Sequence, residues 1–209
     1  MHQILIACFI LFLLLLAFFY LGLYFLAYYL GIFIVLCTII FLLFILQEFF
    51  RVVFSGNAPY VTSSKKFIKK IIDSVDFKDG AVVYELGCGD ARFLRELVKR
   101  HKVRAVGYEY FLVPYLLARV YNFLTRSKIK IYFQDIAKAD LSAVDYVYCY
   151  LMVKQMDVLE KKFQRELKPG ALVISNTFSF KNWQPEKVIV LNENKKYKLS
   201  NKLYLYRKV

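Results

Sequence analysis

The stretch Val82-Val83-Tyr84-Glu85-Leu86-Gly87-Cys88-Gly89-Asp90 runs from an apolar, β-branched segment into a turn with two glycines and two acids. Gly87 and Gly89 can take positive φ or leave room where a side chain would stand, so a ligand can approach the backbone. A helix after the turn offers free N–H groups to it. A pyrophosphate site would ask for G-x-G-x-x-G, but Arg92 stands three residues after Gly89, and the carboxylate of Glu85 would repel phosphate. The acids suit a ligand that carries an amino group and sugar hydroxyls. Glu109 closes Val106-Gly107-Tyr108-Glu109, 20 residues after Gly89, where a carboxylate reaches ribose hydroxyls in doubly wound sheets. Gln134 and Asp135 close a third such segment, from which polar side chains can meet an adenine edge. Alone, Asp90, Glu109 or Asp135 reads as a helix cap or a solvated strand end. Together they stand at the carboxyl ends of successive strands, where open α/β sheets bind ligands.

Those positions need a sheet behind them, and the apolar spacing supplies one. Short runs rich in Val, Ile and Tyr predict strands over Ala81–Leu86, Val103–Glu109, Ile129–Gln134, Asp145–Leu151 and Ala171–Thr177. Between them helices are expected from a Ser63 or Ser64 cap to about Asp73, from Asp90 to about His101, over Leu112–Thr125 and over Lys154–Leu167. Near-continuous apolar strands alternating with helices mean a parallel sheet covered on both faces. Lys187–Leu191 and Lys202–Tyr206, separated only by the polar stretch 192–201, predict an antiparallel hairpin that closes it. The fold class is therefore α/β, a doubly wound, Rossmann-like sheet of seven strands ending in that hairpin.

The 209 residues are 59% hydrophobic with a net charge of +14, an uneasy pair of figures for one soluble globule. Average domains are roughly 45–50% apolar. The excess lies in residues 4–46, which contain no Lys, Arg, Asp, Glu or His, while every Lys and Arg lies from Arg51 onward. Residues 1–50 are read as transmembrane, in the form of a two-helix hairpin, because one crossing takes about 20 residues. Tyr20, Tyr24, Tyr28 and Tyr29, between Gly22 and Gly31, would mark the far interface. One long tilted helix is the alternative, since no Pro, Asn or Asp breaks the run. Residues 51–74 form a basic linker and the first helix, and 75–209 the α/β domain. Arg51, Lys65, Lys66, Lys69 and Lys70 place that domain on the cytoplasmic side, or the matrix side of a mitochondrion, against anionic head groups. Nucleic acid is not an expected partner, because the lysines are spread over many elements and are densest nearest the membrane. Cys8, Cys37, Cys88 and Cys149 lack metal-ligand spacing, and His2 and His101 are the only histidines. No metal site is expected.

Glu85-Leu86-Gly87-Cys88-Gly89-Asp90, with Glu109, Asp135 and the terminal hairpin, resembles the class I S-adenosylmethionine-dependent methyltransferases. Within them, Ala58-Pro59-Tyr60-Val61-Thr62, Glu166-Leu167-Lys168-Pro169-Gly170 and Trp183-Gln184-Pro185-Glu186-Lys187-Val188 are similar to protein-lysine methyltransferases. These include mitochondrial enzymes acting on the ATP-synthase c-subunit and on the adenine nucleotide translocase, and a broad-specificity archaeal enzyme. The resemblance covers about residues 57–207 and departs from the family pattern at Thr62, usually Pro, and Ala91, usually Gly. It implies S-adenosylmethionine as cofactor, with Glu85 and Asp90 at its methionine end, Thr62 or Ser63 closing over its carboxylate, Glu109 at the ribose and Gln134 and Asp135 near the adenine. It places the acceptor at Tyr148 and Tyr150, and Phe178 and Trp183 would wall a lysine channel or simply pack. The implied activity is methylation of lysine in membrane proteins, from an enzyme held at the bilayer. The alternatives are methylation of a membrane lipid or quinone, and a non-catalytic membrane scaffold.

Overall fold

A computed structural model describes residues 2–55, 63–191 and 202–209. It divides into two compact units, residues 1–54 and 55–209. The first consists of α1 (His2–Ser55). In place of the hairpin expected around the tyrosine cluster, α1 is one continuous helix through Gly22 and Gly31. The reason is energetic. A glycine costs a helix about 1 kcal/mol relative to alanine, and the segment between offers no polar turn residue to satisfy a broken ladder. Thr38 returns its hydroxyl to the carbonyl of Ile34, 2.8 Å away, a back-bond within the same helix. Phe9–Gln47 has a mean hydropathy of 3.0, and at 1.5 Å per residue those 39 residues extend about 58 Å.

The second unit holds a seven-stranded sheet in the order β3-β2-β1-β4-β5-β7-β6. Its strands are β1 (Val82–Leu86), β2 (Arg104–Glu109), β3 (Lys130–Phe133), β4 (Tyr146–Cys149), β5 (Leu172–Asn176), β6 (Lys187–Val190) and β7 (Lys202–Arg207). The first five run parallel, and β7 lies antiparallel between β5 and β6. Every residue of β4 and β5 is buried, which explains their unbroken apolar sequence. One face carries α2 (Lys65–Asp73), α3 (Arg92–Val98) and α4 (Leu112–Leu124), whose inward residues join Val83, Tyr146, Tyr148 and Ile174 in one core. The other carries α5 (Val153–Glu166), packed through Met156, Leu159 and Phe163 onto Val147, Val173 and Tyr206.

α2 shows how sequence sets a boundary. Ser64, extended, accepts the Phe67 N–H on its hydroxyl at 3.3 Å, a serine N-cap. Ile68, Ile71 and Ile72 then fall on one buried face at helical spacing. α3 departs from expectation. It begins at Arg92, and the cap position is Ala91, held at φ 57° and ψ 31°. Left-handed backbone costs a residue with a Cβ about 1–2 kcal/mol, whereas burying one methyl returns roughly 0.8 kcal/mol. Ala91→Gly should therefore raise stability slightly, by up to about 1 kcal/mol, seen as a higher urea midpoint of the detergent-solubilised chain. An unchanged or lowered midpoint would mean that the lost methyl outweighs the strain.

Candidate active site

Three carboxylates converge where β1 and β2 end. Glu85 sits in β1, opposite Gly107 of β2 and Tyr148 of β4. After it the chain turns sharply, with Gly87 at φ 73° and Gly89 at φ 55°. The turn is fixed to β2 by the Gly87 and Cys88 N–H groups, which donate to the Tyr108 carbonyl at 2.9 and 3.0 Å. Close approach also demands glycine in β2. A Cβ on Gly107 would stand 2.7 Å from the Cys88 sulfur and 3.2 Å from Leu94.

Glu109 organises the turn from the neighbouring strand. Its Oε2 accepts the Gly89 N–H at 2.7 Å, and its Oε1 accepts those of Tyr110 and Phe111 at 2.9 and 2.8 Å. This buried carboxylate thus ties the glycine turn to the start of α4. Burial raises its pKa, and those three amides work against the rise. Asp90 is held just as firmly. Its Oδ1 accepts the Arg92 N–H at 3.1 Å, and its Oδ2 meets the Arg92 and Arg95 guanidinium groups at 3.2 and 3.5 Å. Arg95 also donates to the Asp90 carbonyl. Asp90 was expected to open the helix as its cap. In the structure it satisfies the first helical amide from one residue before the cap position.

Glu85 is the exception. It is buried, and its Oε2 has no hydrogen-bond partner among the described residues. Burial pushes its pKa well above the usual carboxylate range, and the charge of Asp90 and then of Glu109 adds to the rise. The Leu94 amide and Arg95 oppose it. An unpartnered buried carboxylate is costly, and a cluster of acids around it creates a basin of negative potential. The arrangement suits a ligand that brings positive charge and hydrogen-bond donors.

The other expected residues divide. Gln134 and Asp135 follow β3 at the same edge, half-buried, and Asp135 caps a short 3-10 turn by accepting the Ala137 N–H at 2.9 Å. Ser63 reaches the site through its carbonyl, which accepts from Arg92 at 3.3 Å. Thr62 lies outside the described residues. Tyr148 is buried, stacked on Phe93 with 3.9 Å between ring centroids, and its hydroxyl accepts from Asn176 of β5 at 3.2 Å. Burial, and then the charge of Glu85, pushes its pKa well up, so it keeps its proton at neutral pH. Tyr150 is half-buried just beyond β4 and packs against the same core. Phe178 and Trp183 pack against the α5-side core, Trp183 against Phe180 and Tyr206. Packing accounts for those contacts. Sequence reasoning missed Arg92, Arg95 and Asn176. No motif marks the first two, and only the strand register brings Asn176 to Tyr148.

A family profile, the ANTKMT methyltransferase domain, matches residues 85–187. A protein-lysine N-methyltransferase of Saccharolobus islandicus is 28% identical over 153 residues, spanning 72% of this chain and 93% of that protein. The ATP synthase c-subunit lysine N-methyltransferase of Homo sapiens is 32% identical over 132 residues, spanning 62% of this chain. The matched region is 56% of that longer relative. Among solved structures, an RNA methyltransferase from Salinibacter ruber in complex with S-adenosyl-L-homocysteine shares the fold, with a TM-score of 0.63 at 23% identity over 70% of this chain and 93% of that one.

Proposed function

We propose that the chain, whose residues 85–187 match the ANTKMT methyltransferase domain, is a class I S-adenosylmethionine-dependent methyltransferase that methylates lysine side-chain amines of membrane proteins from a site held at the bilayer by α1. The observation that carries this reading is the unpartnered Oε2 of buried Glu85, set among the carboxylates of Asp90 and Glu109. It fits the cofactor, which brings an ammonium, a sulfonium and ribose hydroxyls. When bound, the cofactor supplies a methyl group already activated for displacement by its positive sulfur.

The residues around it bind, orient and exclude water. Glu85 takes the ammonium, with Asp90 fixed beside it by Arg92 and Arg95. Glu109 spends one lone pair of Oε2 on Gly89 and keeps capacity there for a ribose hydroxyl. Gln134 and Asp135 flank the adenine, and Ser63, with Thr62 before it, closes the arm over the methionine carboxylate. Neither tyrosine acts as a base. Tyr148, locked by Phe93 and Asn176, forms the floor, and Tyr150 at the open end of β4 contacts the acceptor. A lysine amine has a pKa of about 10.4 in water and must arrive neutral, which desolvation among these aromatic groups favours. Displacement then depends on alignment and on exclusion of water.

The lysine acceptor is supported by the names of the relatives, which are protein-lysine and ATP synthase c-subunit lysine methyltransferases. Membrane attachment is supported by the length and hydropathy of α1, and the onset of positive charge at Arg51, after the apolar span Phe9–Gln47, supports a cytoplasmic or matrix side for the domain. Mass spectrometry of membrane proteins from cells with and without the gene tests the reading. Methylation present at specific lysines only when the chain is present is expected. An identical lysine methylation pattern in both would refute it.

A further inference from the structure

α4 has two apolar faces, and the described residues of the domain cover only one. Pro114 and Ala118 are buried and Tyr115 packs on the core, while the Asn122 side-chain amide donates to the Ile129 carbonyl at 2.9 Å. The opposite face carries Val113, Leu116, Leu117, Val120 and Leu124, spaced three and four apart, so they form one stripe along the helix. They are open to solvent within the domain. Val120 is 52% exposed and Leu124 67%, and Phe123 beside them is 81% exposed. Tyr132 and Phe133 of the edge strand β3 add exposed aromatics at the same edge of the sheet. A continuous apolar stripe of this kind marks a binding surface rather than chance exposure.

The charge around the stripe has one sign. From Tyr110 to Gln134 there is no Asp or Glu, but there are Arg119, Arg126, Lys128 and Lys130, all exposed. An open cleft at the end of α4 is lined by Arg119, Asn122, Phe123, Leu124, Arg126 and Ser127, so guanidinium groups stand directly beside the most exposed apolar side chains. This is the chemistry of an interfacial helix, with its apolar side among acyl chains and its basic rim at anionic head groups. At 13 residues, or about 20 Å, α4 is too short to cross a bilayer. A second copy of the chain is disfavoured, because a symmetric contact would set two basic rims against each other.

We propose that the outer face of α4 docks the catalytic domain into an anionic lipid surface. This deepens the proposed function and rests on its membrane reading. α4 starts three residues after Glu109, which accepts the Tyr110 and Phe111 amides. Docking α4 therefore fixes the height of the cofactor carboxylates above the lipid, and with it the depth of the lysines that can be reached.

Spin labelling of the full chain tests this. With Cys8→Ala and Cys37→Ala as background, a nitroxide is attached through Val120→Cys, or through Val158→Cys on the exposed side of α5 as reference. The protein is reconstituted in phosphatidylcholine vesicles containing phosphatidylglycerol. Docking predicts that the label at position 120 is relaxed by oxygen and shielded from a water-soluble nickel chelate, and that the reference shows the reverse. Arg126→Glu with Lys128→Glu should cut the docked fraction roughly tenfold. Collision with nickel at position 120 would overturn the proposal. So would protection from both reagents, which means burial against protein, or a signal indifferent to the charge reversals. Cofactor binding measured on the same vesicles keeps the two readings apart. Binding with an undocked label refutes only the docking, and docking without binding refutes only the methyltransferase reading.

Discussion

Glu109→Ala should abolish cofactor binding and loosen the glycine turn with it. The side chain accepts the amides of Gly89, Tyr110 and Phe111, and its loss removes that acceptor from one buried N–H in the glycine turn and two partly buried ones at the start of α4. Each such group costs about 1–3 kcal/mol unmade, and the terms overlap because the turn relaxes as one unit, so a destabilisation of about 3–5 kcal/mol is expected. Glu109→Gln is the discriminating variant. Its amide oxygen still accepts from one side of the turn, so the fold survives with a smaller loss while the charge that meets the ribose is gone. Calorimetry with S-adenosylmethionine and amide exchange at Gly89, Tyr110 and Phe111 separate the effects. Undiminished affinity in Glu109→Gln would remove the ribose role and leave Glu109 as a structural tie.

Glu85→Gln should do the opposite to stability and the same to binding. The carboxylate is buried with one oxygen unpartnered, so neutralising it stabilises the ligand-free protein at neutral pH, by about 1–2 kcal/mol. Cofactor affinity falls roughly 30-fold or more, because a buried charge partner of the ammonium is lost. The pH dependence follows from the raised pKa of Glu85. The unfolded chain releases this proton near pH 4.3, while the folded protein keeps it to higher pH. Between those points the folded state binds more protons, and its stability falls as pH rises. Glu109 shifts in the same direction and contributes to the same decline. The variant should show a shallower loss of stability with pH than the parent. A ligand-free Glu85→Gln protein that is less stable at pH 7, or an unaltered pH slope, would mean that Glu85 has a partner when the ligand is absent.

What could be read from the sequence follows from where burial is complete. β4 and β5 are covered on both faces, so their apolar runs predicted them directly. The polar side chains at the strand ends were legible because β1, β2 and β3 are parallel neighbours, which puts Glu85, Glu109 and Gln134 at one edge without any knowledge of side-chain geometry. The start of α3 was misread because Ala91 takes a conformation that favours glycine, and sequence gives no sign of a left-handed alanine. The clamp of Arg92 and Arg95 on Asp90 was missed because no motif marks those arginines. Glycine and tyrosine in the middle of α1 suggested a turn, whereas an unbroken backbone ladder outweighs two glycines. α4 read simply as a helix, and only the structure shows that one of its two apolar faces is left uncovered by the described residues of the domain.

The central claim is tested most directly by placing the reconstituted chain in vesicles with membrane proteins and S-adenosylmethionine carrying a labelled methyl group, then hydrolysing the products to amino acids. The account predicts label recovered as methylated lysine, and none above background with Glu85→Gln at limiting cofactor. Label confined to the lipid fraction, or no transfer by a chain that binds the cofactor, would contradict it.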